Sequence, residues 1–149
     1  MVKVFIYPST SLILSDMVDR WGHEPLGAAL QIRERIQTPG FDSPPLQMTP
    51  DDPKRGLRYA AVEVPSGVRG RMALMGPLIE ESEAAIVIND ADFSFGCMGC
   101  ARTNELVKLL IRHRDIPILE LTYPRSEEEG VAFVGAIKQF LTGLSEGAA

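Results

Sequence analysis

Two short apolar runs, each cut off sharply and the first interrupted only by Lys3, constrain this chain more than anything else in it. Val2 to Tyr7 carries Val2, Val4, Phe5 and Ile6 and stops at Pro8, while Ala84 to Ile88 is apolar at every position. A strand with one face in water alternates apolar and polar residues; a continuous run suits a strand covered on both faces. Such strands need helices above and below, which selects an α/β chain with a mostly parallel sheet.

Helical spacing between the runs agrees. Ser9, Thr10 and Ser11 offer capping hydroxyls to a helix with Ile13, Met17 and Trp21 on one face and Gly22 as its stop. Pro25 opens a second helical pattern, Leu26, Ala29, Leu30, Arg33 and Ile36, closed by Pro39-Gly40. Leu57 to Val64 is β-rich in its second half and ends at Pro65, which predicts a second strand. Val68, Met72, Met75 and Ile79 are again helically spaced, and Gly76-Pro77 predicts a kink there or two short helices.

Ala84 to Ile88 is then a third strand, Thr103 to Arg114 a helix and Ile116 to Leu121 a fourth strand. Ser126 and Glu129 match a capping box before a stripe of Phe133, Ile137, Leu141 and Leu144. The expected architecture is a small open parallel four-stranded sheet flanked by helices, a flavodoxin-like or Rossmann-like three-layer sandwich. At 149 residues the chain is one domain, 1–149. Within it, five prolines mark a loop at 38–56, and the last residues, about 145–149, form a disordered tail.

In an open parallel sheet, ligands collect outside the carboxyl ends of the strands. Pro8 to Ser11, Pro65 to Arg71, Asn89 to Cys100 and Thr122 to Arg125 should lie along that edge. The chain's two cysteines, Cys97 and Cys100, sit there in one C-x-x-C. Gly96 and Gly99 clear space around the sulfurs, and Arg102, Thr103 and Asn104 would tune the site through charge and hydrogen bonding. A helix start beside Arg102 makes Cys100 the more acidic thiol.

Several chemistries fit the pair. An ordinary [4Fe–4S] or [2Fe–2S] cluster needs four thiolates, so one chain holds half a set. A two-fold dimer would supply four and could share one [4Fe–4S] cluster on its axis. Zinc within one chain lacks the remaining ligands, since His23 and His113 are remote in sequence and read as surface or helix-end residues. A dithiol–disulfide redox site needs no partner, and two free thiols in a Gly turn need no cofactor at all. Asp90 and Asp92 beside the pair read as turn or capping residues.

A weaker feature is Ser66, Gly67, Val68, Arg69, Gly70 and Arg71, which follows a strand and precedes a helix. Its amides and two guanidiniums could hold a phosphate or carboxylate. A net charge of −5 disfavours a nonspecific nucleic-acid binder. No signal-peptide pattern and no run of ~20 apolar residues occurs, so the expectation is a cytoplasmic protein with no membrane partner.

The string from Asn89 to Leu106, with Cys97 and Cys100 inside it, resembles the methanogenesis marker protein 5 family of methanogenic archaea. Asp42-Ser43-Pro44-Pro45, Thr49 to Gly56 and Val64 to Arg71 extend that resemblance over essentially the whole chain. It implies a cytoplasmic archaeal protein tied to methanogenesis, with methyl-coenzyme M reductase maturation or activation proteins as partners; it supplies no defined reaction, and the expectation is a protein that is not a stand-alone enzyme. A strongly reducing cell favours an oxygen-sensitive cluster over a structural disulfide. The other readings that stay open are a non-catalytic assembly or ligand-binding factor and a dithiol redox protein.

Overall fold

A computed structural model describes residues 1–38, 49–89 and 98–147, with backbone alone for 98–100. Four strands, β1 (Lys3–Tyr7), β2 (Glu24–Leu26), β3 (Ala84–Asn89) and β4 (Ile118–Thr122), form one sheet in the order β2-β1-β3-β4. Every neighbouring pair is parallel. The helices are α1 (Leu12–Arg20), α2 (Ala28–Gln37), α3 (Asp52–Arg55), α4 (Ser66–Glu81), α5 (Met98–Arg112) and α6 (Glu127–Gly147). This is the expected parallel α/β sandwich, and its strand order matches the first four strands of the flavodoxin-like arrangement.

The apolar runs explain the layering. Successive side chains of β1 and β3 point to opposite faces, so an unbroken run feeds two cores at once. On one face Phe5, Tyr7, Ala85 and Val87 pack under α4 and α5 through Val68, Met72, Val107 and Ile111. On the other, Val4, Ile6, Ile86 and Ile88 pack under α1 and α6 through Leu14, Val18, Ile137 and Leu141. The buried side of α1 is therefore the one carrying Leu14 and Val18; Ile13, expected on that face, is 75% exposed.

The second strand is not where sequence pattern put it. Leu57–Val64 forms no strand: Gly56–Arg58 is a 3-10 turn, and the Tyr59 and Ala60 amides both donate to the Gly56 carbonyl. This segment is moulded onto α4. A Cβ at Gly56 would fall 1.9 Å from the Arg69 carbonyl oxygen, the Tyr59 ring lies over Gly76, and Arg58 pairs with Glu80 at 2.9 Å. The β-branched Val62, 66% exposed, reflects no burial. The true β2 has three residues centred on Pro25, too few for a period-two pattern to show. Pro25 thus sits in a strand rather than opening a helix, and α2 starts after Gly27.

Three other expectations change. α4 is one helix, with Pro77 inside it on the exposed side, where a missing backbone bond costs least. The proline-rich stretch 38–56 contains α3, which Pro53 can open because a first-turn amide has no helical partner anyway. α6 continues to Gly147, so residues 145–147 belong to a helix rather than a tail. It starts as expected: the Glu129 amide donates to Ser126 Oγ at 3.1 Å, while the Glu129 carboxylate accepts from the Arg125 amide at 2.8 Å.

His23, expected at a surface or helix end, is buried and ties three parts of the fold together. Its Nδ1 accepts from the Val2 amide at 3.2 Å, and its Nε2 lies 2.9 Å from the Leu141 carbonyl and 3.0 Å from Ser145 Oγ. A backbone amide can only donate, so Nδ1 is the bare nitrogen and Nε2 carries the proton that reaches α6. His113 does lie at a helix end, its Nδ1 2.8 Å from the Leu109 carbonyl. No helix among the described residues is long and apolar enough to cross a membrane.

Candidate functional site

The order β2-β1-β3-β4 reverses between β1 and β3: the chain leaves β1 toward one side and β3 toward the other. The helix following β1 lies on one face of the sheet and the helix following β3 on the opposite face. Loops that diverge in this way open a crevice at the carboxyl ends of the strands, where ligands bind in such sheets.

From β1 the chain passes through Pro8, after a cis Tyr7-Pro8 bond, to Ser9 and the Ser11 cap of α1. Ser9 is buried, and both its carbonyl and its Oγ accept from the Ala28 amide at 2.8 Å, the first amide of α2. It therefore caps the next helix across the edge rather than its own. That role was not legible locally, because its partner lies in a different loop.

From β3 the chain passes through residues 90–97 into α5. Asp90, Asp92, Gly96 and Cys97 lie outside the described residues. Gly99 and Cys100 fall in the first turn of α5, which begins five positions ahead of the expected Thr103, so Cys100 is a helical residue rather than part of a preceding turn. Helical spacing puts position 100 on the same face as 104, 107 and 111. Along that face Asn104 is 2% exposed and Val107 and Ile111 are fully buried; Thr103 beside it is 4% exposed, while Arg102 is exposed. Two buried polar side chains thus occupy the turn immediately after the cysteine position.

Asn89, at the last position of β3, was missed as a site residue. Its Nδ2 lies 3.4 Å from Glu120 Oε2, and its backbone carbonyl accepts from the Tyr123 amide at 2.9 Å. Its Oδ1 is buried without a hydrogen-bond partner, a costly state that marks a place where a donor would be welcome. The only sequence signal was an amide residue directly after an apolar run. Next to it, Arg112 grips Glu120 with Nε and Nη2 at 2.8 and 3.0 Å, and this guanidinium holds the Glu120 carboxyl below its ordinary range.

The candidate anion edge is placed differently from expectation. Ser66 to Arg71 is the start of α4 itself, not a loop before it. Ser66 is exposed and Gly67 has open space around it, but Gly70 is buried. Arg69 turns inward, its Nε donating to the Val64 carbonyl at 3.1 Å and its Nη1 to the Pro53 carbonyl at 2.9 Å. Arg71 is half-buried.

Nearby, Asp52 is fully buried and accepts both Nη atoms of Arg35 at 2.8 and 3.0 Å and the Thr49 amide at 2.8 Å. Burial alone would raise its pKa, but Arg35, Thr49 and Arg55 outweigh that and hold it below the usual carboxylate value. The pair ties α2 to α3. Among the described residues no three His, Cys, Asp or Glu side chains gather as a metal site.

Comparison with known proteins places this geometry in a lineage. A family model described as an uncharacterized protein conserved in archaea (DUF2112) matches residues 2–144. A relative from Methanocaldococcus jannaschii, described as uncharacterized protein MJ0404, is 57% identical over 146 residues, covering 98% of this chain and 97% of its own length. No solved structure matches. With the whole sheet and every element of the carboxyl edge inside the matched span, the chain belongs to this conserved archaeal family.

Proposed function

We propose that this protein is an accessory factor of methanogenic metabolism that presents Cys97 and Cys100 as half of a four-thiolate iron–sulfur or metal site. One observation carries the reading: the strand order reverses between β1 and β3, and the cysteine segment is the connection that leaves β3 there. A relative in a methanogen supports the metabolic context. The narrower membership, in the methanogenesis marker protein 5 family, and a role in methyl-coenzyme M reductase maturation or activation are parts of the same proposal.

The donor chemistry fits the cofactor and also limits it. Soft thiolates at a C-x-x-C spacing suit iron–sulfur clusters or zinc, and the partial positive charge at the start of α5 favours the thiolate form. Two thiolates leave half of a four-thiolate set to be filled. The site is therefore completed by a second chain. A [4Fe–4S] cluster is the leading form, and it would supply electron transfer or be handed on; Thr103 and Asn104 would orient the ligand turn from behind. The anion-edge alternative leans on Arg71, because Arg69 is engaged by carbonyls.

Iron, sulfide and zinc analysis of protein purified without oxygen tests the proposal. Iron and sulfide in near-equal amounts support it, and zinc alone narrows it to a metal site. Protein that stays metal-free after anaerobic reconstitution contradicts it.

A further inference from the structure

The two edges of the sheet are built differently. At β2 the Glu24 amide donates inward to the Val2 carbonyl, so by strand alternation Pro25 is the residue that faces outward, and it has no amide to donate. That edge is sealed against pairing. At β4 the Pro117 carbonyl accepts from Ala85 and the Tyr123 amide donates to Asn89, so the odd-numbered residues face β3. Ile118, Glu120 and Thr122 then turn their amides and carbonyls outward, with no proline among them and no described segment alongside.

We infer that a second copy of this chain docks on β4, antiparallel, about a two-fold axis through Glu120, joining the sheets into one of eight strands. The outward positions 118, 120 and 122 are evenly spaced about Glu120. Ile118 meets the partner's Thr122, Glu120 meets the partner's Glu120, and Thr122 meets the partner's Ile118. Each of these three pairs exchanges two backbone bonds, six in all, and every outward group of β4 is satisfied.

The side chains fit the same operation. An axis perpendicular to the sheet keeps both α6 helices on one face. There Leu119 falls opposite the partner's Leu121, and both leucines are only half-buried in one chain. Each lines an open hollow between β4 and α6, of about 460 Å³ at Leu119 and Phe140 and about 400 Å³ at Leu121 and Phe133. On the opposite face two Glu120 carboxylates would meet, a repulsive contact in isolation. Each is held by its own Arg112, whose side chain is half exposed and can reach the second carboxylate, so the cluster is neutral.

This inference does not rest on the cysteine reading. Antiparallel pairing sends the two carboxyl edges to opposite ends, so the cysteine pairs do not meet on this axis. Under both readings together, the second pair of thiolates comes from a separate contact between copies of this chain.

Sedimentation of the full chain at micromolar concentrations tests the surface. The expected result is a metal-independent dimer that persists when Cys97 and Cys100 are both changed to serine. Glu120→Arg and Glu120→Pro should each weaken it by about 100-fold or more, while circular dichroism stays native because the Glu120 amide faces outward. In the wild type, amide exchange at Ile118, Glu120 and Thr122 should be slow in the dimer and speed up on dilution. A monomer at these concentrations, a dimer lost with the cysteines or the metal, a dimer that both Glu120 variants retain, or fast exchange at these three amides would each overturn the inference.

Discussion

Two side chains show how single residues hold this fold. His23 uses its two ring nitrogens on opposite partners, the Val2 amide at the start of β1 and the Leu141 carbonyl on α6. His23→Ala removes both bonds, leaves the Val2 amide without its acceptor and opens a cavity under α6, and should cost about 3 kcal/mol in denaturant unfolding. A loss below about 0.5 kcal/mol would mean that water replaces the ring without penalty. Asp52 works through charge. Its folded carboxyl sits below the unfolded value, so its stabilisation is complete above that value and disappears as pH falls through the folded one. Thermal stability should therefore drop below about pH 4, where unfolded carboxylates begin to bind protons. Asp52→Asn should lose about 3 kcal/mol at neutral pH, by removing the buried carboxylate that accepts both Arg35 Nη atoms, and show a shallower acid limb. Parallel acid limbs in the two proteins would remove Asp52 from the account.

Among the elements, the contact between α4 and the turn before it is the tightest. A Cβ at Gly76 would come within 2.3 Å of the Tyr59 ring, and rings in a packed layer have little room to retreat. Gly76→Ala should destabilise by about 2 kcal/mol even though alanine is the better helix former; a gain in stability would show that the ring moves freely. This contact also explains where sequence reading succeeded and failed. β1 and β3 were legible because burial on both faces leaves an unbroken apolar run, and α6 because its Ser126 cap and its stripe are local. β2 was not, since three residues around a proline carry no period. Leu57–Val64 misled because β-propensity reports packing, and there the packing is a turn laid on α4. α5 began early because Gly99 and Cys100 are weak helix formers by themselves and are carried by the helix that follows. Near the candidate site, spacing alone puts position 100 one turn before Asn104, whereas the roles of Asn89 and Ser9 depend on partners far along the chain.

At the scale of the molecule, the topology supplies one crevice, one sealed edge and one open edge. The crevice lies at the β1/β3 reversal; the open edge is a strand away at β4. The reading stands or falls with an iron–sulfur cluster held by Cys97 and Cys100, its leading form, and anaerobic reconstitution followed by Mössbauer spectroscopy of iron-57 decides it. The account predicts a thiolate-ligated iron–sulfur signal in the wild type that disappears in the Cys97→Ser/Cys100→Ser variant while the unfolding midpoint of the metal-free protein is unchanged. A wild type without that signal, or a double variant that retains it, would contradict the account.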